Sequence, residues 1–172
     1  MELLIPGLIL VALMVYASTR IKKTAAAAFE PETIETDEYV IEKPEGFLNV
    51  IGPDPKYAVH AYSKEFGGPG AEDIKQGMAN LYIRTGVSQE KALAEILGPD
   101  ASKLSDDSEV VDGVKYRVID TKRSLKNVDL AVGYKLTERN GKVFVFEAAR
   151  LAETTPEFAR KIDVMLNSFV VK

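Results

Sequence analysis

The chain has one histidine, His60, flanked in the segment Tyr57-Ala58-Val59-His60-Ala61-Tyr62 by two phenols. An imidazole near hydroxyls has the group types of general acid–base chemistry. With Asp120, the residues Tyr57, His60 and Tyr62 are the scattered set from which an enzyme site would be assembled. No serine or acid partner follows from their spacing, and a single histidine without cysteine cannot complete a typical zinc site. The expected role of His60 is therefore that of an ordinary residue on the less apolar face of a strand.

Three further clusters have chemical counterparts. Gly67-Gly68-Pro69-Gly70 resembles loops that cradle phosphate, but it has neither dinucleotide nor P-loop spacing, and Glu72 and Asp73 would repel an anion. A turn is expected there. Asp106, Asp107, Glu109 and Asp112 could face calcium, yet the EF-hand order of ligands is missing, so they read as a solvated loop. Lys115, Arg117, Lys122, Arg123 and Lys126 form the basic cluster that could touch lipid headgroups or an acidic partner. No catalytic, metal-binding or cofactor-binding residue is assigned, and no cofactor is implied.

The elements that must position these groups begin with the run Leu3 to Ala17, which carries no charge. Extended to Ile21, it makes a helix of about 28 Å, close to the thickness of a hydrocarbon core. Residues 3–21 are thus expected to anchor the chain in a cell membrane as a single-pass helix, with Tyr16 in the interfacial belt. Arg20, Lys22 and Lys23 follow the run, while Met1-Glu2 carries no base. By the positive-inside asymmetry the N-terminus is expected outside and the soluble domain in the cytoplasm. The alternative is a signal peptide cleaved after Ala17, on the small-residue pattern Val15-Tyr16-Ala17, which would place the domain on the exported side.

The chain carries 22 Lys and Arg against 26 Asp and Glu, net −4, with no cysteine. Disulfides and thiolate metal sites are excluded, and the acidic balance argues against a nucleic-acid surface. Residues 24–38 are Ala-rich and acidic, with Pro31 ending any helix that continues from the anchor, and they read as a solvated tether. One soluble domain is expected over 39–172.

Within that domain, Tyr39-Val40-Ile41, Phe47 to Ile51 and Tyr57 to Tyr62 read as strands, with a turn at Gly52-Pro53-Asp54-Pro55. Ile74, Met78, Leu81, Tyr82 and Thr85, spaced by three and four, predict an amphipathic helix over 71–85. Ser88 caps a second helix ending at Gly98-Pro99. Residues 100–109 read as loop, and 114–119 as a strand that Asp112-Gly113 turns back on Val110-Val111. Asn140-Gly141 predicts a two-residue hairpin in which Leu136 opposes Val145, Thr137 opposes Phe144 and Lys135 opposes Phe146. The strand after that turn is apolar on both faces and belongs inside a sheet. Thr155-Pro156-Glu157 starts a final helix with the stripe Phe158, Ile162, Met165, Leu166 and Phe169. The fold class is α+β, an antiparallel sheet flanked by helices.

Tyr39-Val40-Ile41 leading into Pro44-Glu45-Gly46-Phe47, the late hairpin and the closing Asn167-Ser168-Phe169-Val170 together resemble the PsbP-like superfamily over residues 39–171. The family's tryptophan is Phe47 here. The resemblance implies an α/β/α sandwich that binds or stabilises protein assemblies without catalysis. The expected function is a membrane-tethered binding or assembly module with a protein partner and no nucleic acid, the lipid bilayer being met through residues 3–21. The alternative is an enzyme or a small-ligand-binding domain with a site built from scattered residues.

Overall fold

The computed structural model describes residues 13–16, 18, 26–52, 56–98 and 100–172. The expected anchor, with Arg20, Lys22 and Lys23, falls mostly outside these residues. Its described part, 13–16 and 18, is helical and exposed. Among the described residues no helix is long and apolar enough to cross a membrane. Pro53, Asp54, Pro55 and Pro99 also lie outside.

Two antiparallel sheets make up the fold. The smaller joins β1 (Glu32–Glu35), β2 (Tyr39–Lys43) and β10 (Val170–Val171), with β2 in the middle. The larger has seven strands in the order β3 (Phe47–Asn49), β4 (Val59–Ser63), β5 (Gly77–Thr85), β9 (Lys142–Leu151), β8 (Val128–Arg139), β7 (Val114–Leu125) and β6 (Ser102–Val111). Helix α1 (Gln89–Leu97) lies on one face of the large sheet, and α2 (Pro156–Ser168) on the other, where it also contacts β2. The antiparallel α+β expectation holds, with sheet dominating the molecule.

The last four large-sheet strands form a meander because three two-residue turns have left-handed backbone at both positions: Asp112-Gly113, Lys126-Asn127 and Asn140-Gly141. This geometry matches the strand twist. The register across Asn140-Gly141 is the expected one, and β9 runs between β5 and β8 with residues 143–149 buried. The closing helix also starts where expected, with the Thr155 side chain accepting from Phe158 N at 3.2 Å and the stripe Phe158, Ile162, Met165 and Leu166 buried.

Three expectations need correction. The helix expected over 71–85 does not form: residues 71–76 are turn and a short bridge, and 77–85 form strand β5. A strand buried on both faces is apolar at most positions, so it also satisfies the three-and-four spacing of a helix. Pairing with β9 over its full length decides between them, placing Ala79 and Leu81 toward α2 and Met78, Asn80 and Tyr82 toward the other face. Gly77 is required at its start, since a Cβ there would lie 2.9 Å from the Phe158 ring.

Residues 102–109, expected as loop, belong to the edge strand β6, most of whose residues are exposed. Hydrophobic alternation reports burial, and an exposed edge strand has none to report. Finally, residues 32–35 of the expected solvated tether are strand β1, paired to β2. Buried Lys43 holds this entry segment: its ammonium donates to the carbonyls of Ala28 and Glu30, and to Phe47 O at 2.8 Å. Desolvation, the larger effect, lowers the Lys43 pKa, and the Glu32 and Glu30 carboxylates partly offset it.

Candidate functional site

Strand register places His60 beside Asn80, Asn80 beside Glu147, and Glu147 beside Tyr134, so β4, β5, β9 and β8 carry one polar row across the α1 face of the large sheet. Side chains at paired positions point to the same face and stand within contact distance. The row is bonded from end to end. His60 Nδ1 lies 2.6 Å from Asn80 Oδ1, and Asn80 Nδ2 donates to Glu147 Oε2 at 2.9 Å. Tyr82 OH donates to the same oxygen at 3.0 Å, while Tyr134 OH at 3.2 Å and Arg123 Nη1 at 3.0 Å reach Glu147 Oε1.

Glu147 is only 1 % exposed, and a charge so deep is tolerated when it is paired and fully hydrogen-bonded. Four donors fill its two oxygens. The same environment acts on the phenols: burial first, then the Glu147 charge, pushes Tyr82 and Tyr134 well above the usual tyrosine range. Both stay protonated as donors. With its lone pairs occupied, Glu147 is held as a structural acceptor rather than a free base.

Toward the β3–β4 edge the row opens. Tyr57 stacks on His60, ring centroids 5.1 Å apart at 18°, and meets Tyr82 edge-on at 5.2 Å. Tyr62 is tilted against His60 at 5.8 Å. Lys75 lies over the Tyr62 ring at 4.9 Å and the Phe66 ring at 3.8 Å. Tyr57, His60, Tyr62 and Lys75 are half-buried, and Phe66 is 51 % exposed.

The structure therefore brings together Tyr57, His60 and Tyr62 from the sequence-derived set, and separates Asp120. That residue pairs with Gly133 on the α2 face, is exposed, and accepts from Ser105 Oγ at 2.9 Å. Gly67-Gly68-Pro69-Gly70 is a turn as expected. It precedes a strand instead of a helix, and its Gly70 N–H is taken by the Glu72 carboxylate at 3.0 Å. Asp106 accepts a two-point contact from Arg117, both at 2.7 Å, and its pKa is lowered mainly by that bond. The described residues contain no group of three or more His, Asp or Glu side chains that could hold a metal ion. The expected basic cluster is spent largely within the chain: Arg117 on Asp106, Arg123 on Glu147 and Lys126 on Asp73.

Asn80, Tyr134 and Glu147 were not anticipated from sequence, and Tyr82 and Arg123 read there only as part of a helix stripe and of the basic cluster. One signal was available, because Glu147 interrupts an otherwise apolar strand, Val143-Phe144-Val145-Phe146-Glu147-Ala148-Ala149, that reads as buried on both faces. A charge in such a run requires partners.

No family model and no curated protein matches the sequence. Solved structures do. Cyanobacterial PsbP (CyanoP) from Synechocystis sp. PCC 6803 aligns with a TM-score of 0.56 at 15% identity, over 83% of this chain and 92% of that one. The fold is PsbP-like. LpqN of Mycobacterium tuberculosis aligns with a TM-score of 0.55 at 14% identity, over 83% and 91% of the two chains. The Saccharomyces cerevisiae Ran-binding protein Mog1p aligns at 0.54 and 12%, over 83% and 96%. At these identities the likeness is one of fold, which agrees with the strand-to-Pro44 and Ser168-Phe169 resemblance in the sequence. The PsbP-like frame carries the row on its α1 face without assigning it a role.

Proposed function

We propose that this chain is a non-catalytic binding or assembly module that docks a protein partner on the open Tyr57-His60-Tyr62 end of the α1 face. The observation that carries the reading is the contrast along one polar row. Its carboxylate end is buried and saturated, while its aromatic end is half-exposed beside Lys75 and Phe66. Rigid tyrosines with a polar tip are the residues that interfaces favour, since they give large contact area at low entropic cost. The fold is compatible with such use, as one of its carriers is a Ran-binding protein and another is described as involved in cell envelope biogenesis. Residues 3–21 tether the module to a cell membrane in this reading, with the domain on the cytoplasmic side, on the strength of the uncharged run and the Arg20-Lys22-Lys23 cluster after it.

The test is site-specific photocrosslinking in membranes of the full chain, with the crosslinker at Tyr62 and, as control, at Asp120 on the opposite face. A discrete adduct from position 62 and none from 120 is expected. Equal labelling from both, or none from 62, would overturn the reading. Protease digestion of intact spheroplasts against inverted vesicles tests the tether, with cleavage of the domain only in inverted vesicles expected.

A further inference from the structure

The buried end of the row dictates what its exposed end offers. Glu147, ion-paired with Arg123, can only accept, so the Asn80 atom facing it at 2.9 Å is the amide nitrogen. The Asn80 oxygen is thereby turned to His60, 2.6 Å from Nδ1. Two acceptors cannot share that contact. Nδ1 therefore carries the proton, and the neutral ring keeps Nε2 as an acceptor. Tyr57 and Tyr62 both pack against the ring. The His60 tautomer is set by a carboxylate two strands away.

A cation, Lys75, stands beside this acceptor. Lys75 lies over Tyr62 and Phe66, donates to Lys64 O at 3.2 Å, and has no ion-pair partner among the described residues. Of the nearby acids, Glu72 is engaged on Gly70 N and Asp73 on Lys126, while Glu65 is exposed and has no ion pair with Lys75. In a chain of net charge −4, Lys75 offers this end of the row a positive charge.

We infer that the open end of the α1 face receives an acidic, extended segment of a partner protein. His60 Nε2 takes a main-chain N–H of that segment, and Lys75 takes its carboxylates. An extended peptide suits the patch because it presents main-chain donors and side-chain acids along one line, the two chemistries the patch lacks for itself. Oligonucleotides could also stack on Tyr57, Tyr62 and Phe66, but the acidic balance of the chain opposes them. The inference rests on the docking reading above and specifies the partner's chemistry.

Because His60 is the only histidine, the full chain in detergent micelles, labelled with ¹⁵N in histidine, reports a single ring. In the neutral ring the proton is expected on Nδ1, with Asn80→Ala giving a mixture of tautomers. Titration with a synthetic peptide alternating Glu and Ala is expected to shift the Nε2 resonance, and Lys75→Glu or Lys75→Met to weaken that response at least tenfold. A matching Lys and Ala peptide should leave the resonance unmoved. A proton on Nε2 in the free chain, no response to the acidic peptide, a response indifferent to Lys75, or an equal response to oligouridylate each overturns the inference. A positive Tyr62 crosslink with a silent peptide titration removes only the acidic segment, whereas a negative crosslink removes the docking reading beneath it.

Discussion

The two faces of the large sheet are closed in different proportions of apolar packing and polar bonding. Under α2 the seal is mainly aromatic and apolar: Phe47 stacks on Phe158 at 5.7 Å, Phe146 lies against Phe169 at 5.2 Å, and Tyr116 meets Phe169 edge-on at 6.2 Å. The buried Lys135 ammonium, on Glu109 at 2.8 Å and Asn167 O at 3.2 Å, is a charged exception. Under α1 an apolar cluster around Leu93, Val145 and Leu136 gives way to the Glu147 network and then to half-exposed rings. Burial of apolar area is non-directional and tolerates imprecise partners. A buried carboxylate needs its donors at defined distances, so the α1 face is the one on which specific orientation is stored. One face holds the molecule together, and the other fixes a histidine.

Four outcomes would sharpen or break this comparison. The largest effect is expected on the α2 face, where Phe146→Ala should cost about 3–5 kcal/mol through lost burial and a residual cavity, read by urea denaturation. A loss under ~1 kcal/mol would mean that the face is not the main seal. Next, Glu147→Gln should cost about 1–3 kcal/mol by removing the ion pair and leaving one donor facing another. The α1 face also predicts a pH signature. Tyr82 and Tyr134 are held above their ordinary value of 10.0, so their contribution is complete below pH 10.0 and is lost as pH rises beyond it. Stability measured from pH 8 to 11 should decline above that point, and less steeply in a Tyr82→Phe/Tyr134→Phe double variant. Parallel curves would show that the phenols are not buried donors. The smallest stability change, under about 1 kcal/mol, is expected for Tyr62→Ala at the open end. Its adduct-forming partner should nevertheless be lost when the crosslinker is moved to Tyr57. Unchanged capture there would detach Tyr62 from the docking face.

Much of this frame was legible where local chemistry is strong. Asn140-Gly141 requires left-handed backbone at two successive positions, so it fixed a hairpin and its register. Thr155-Pro156 set the start of α2 by capping alone. The meander's middle turn, Lys126-Asn127, adopts the same backbone with no glycine, and only pairing of β7 with β8 imposes it. The candidate site divides in the same way. Tyr57, His60 and Tyr62 lie within one short segment, and His60 and Tyr62 share a face because side chains alternate along a strand. Asp120 looked equivalent in type and proved to be on the opposite face, since facing depends on which residue it pairs with.

The amino-acid sequence by itself determined the α+β class, the terminal hairpin, the closing helix and the aromatic end of the row, because propensity, capping and turn sterics act over a few residues. It also determined an uncharged run from Leu3 to Ala17, whose placement lies mostly outside the described structure. The tertiary structure alone decided that 77–85 is a strand, that 102–111 is a sheet edge, and that Asn80, Tyr82, Arg123, Tyr134 and Glu147 meet. Those residues come from four strands, and a one-residue slip of any would turn its side chains to the other face. Contacts of that range are set by pairing register, which no short window of sequence contains.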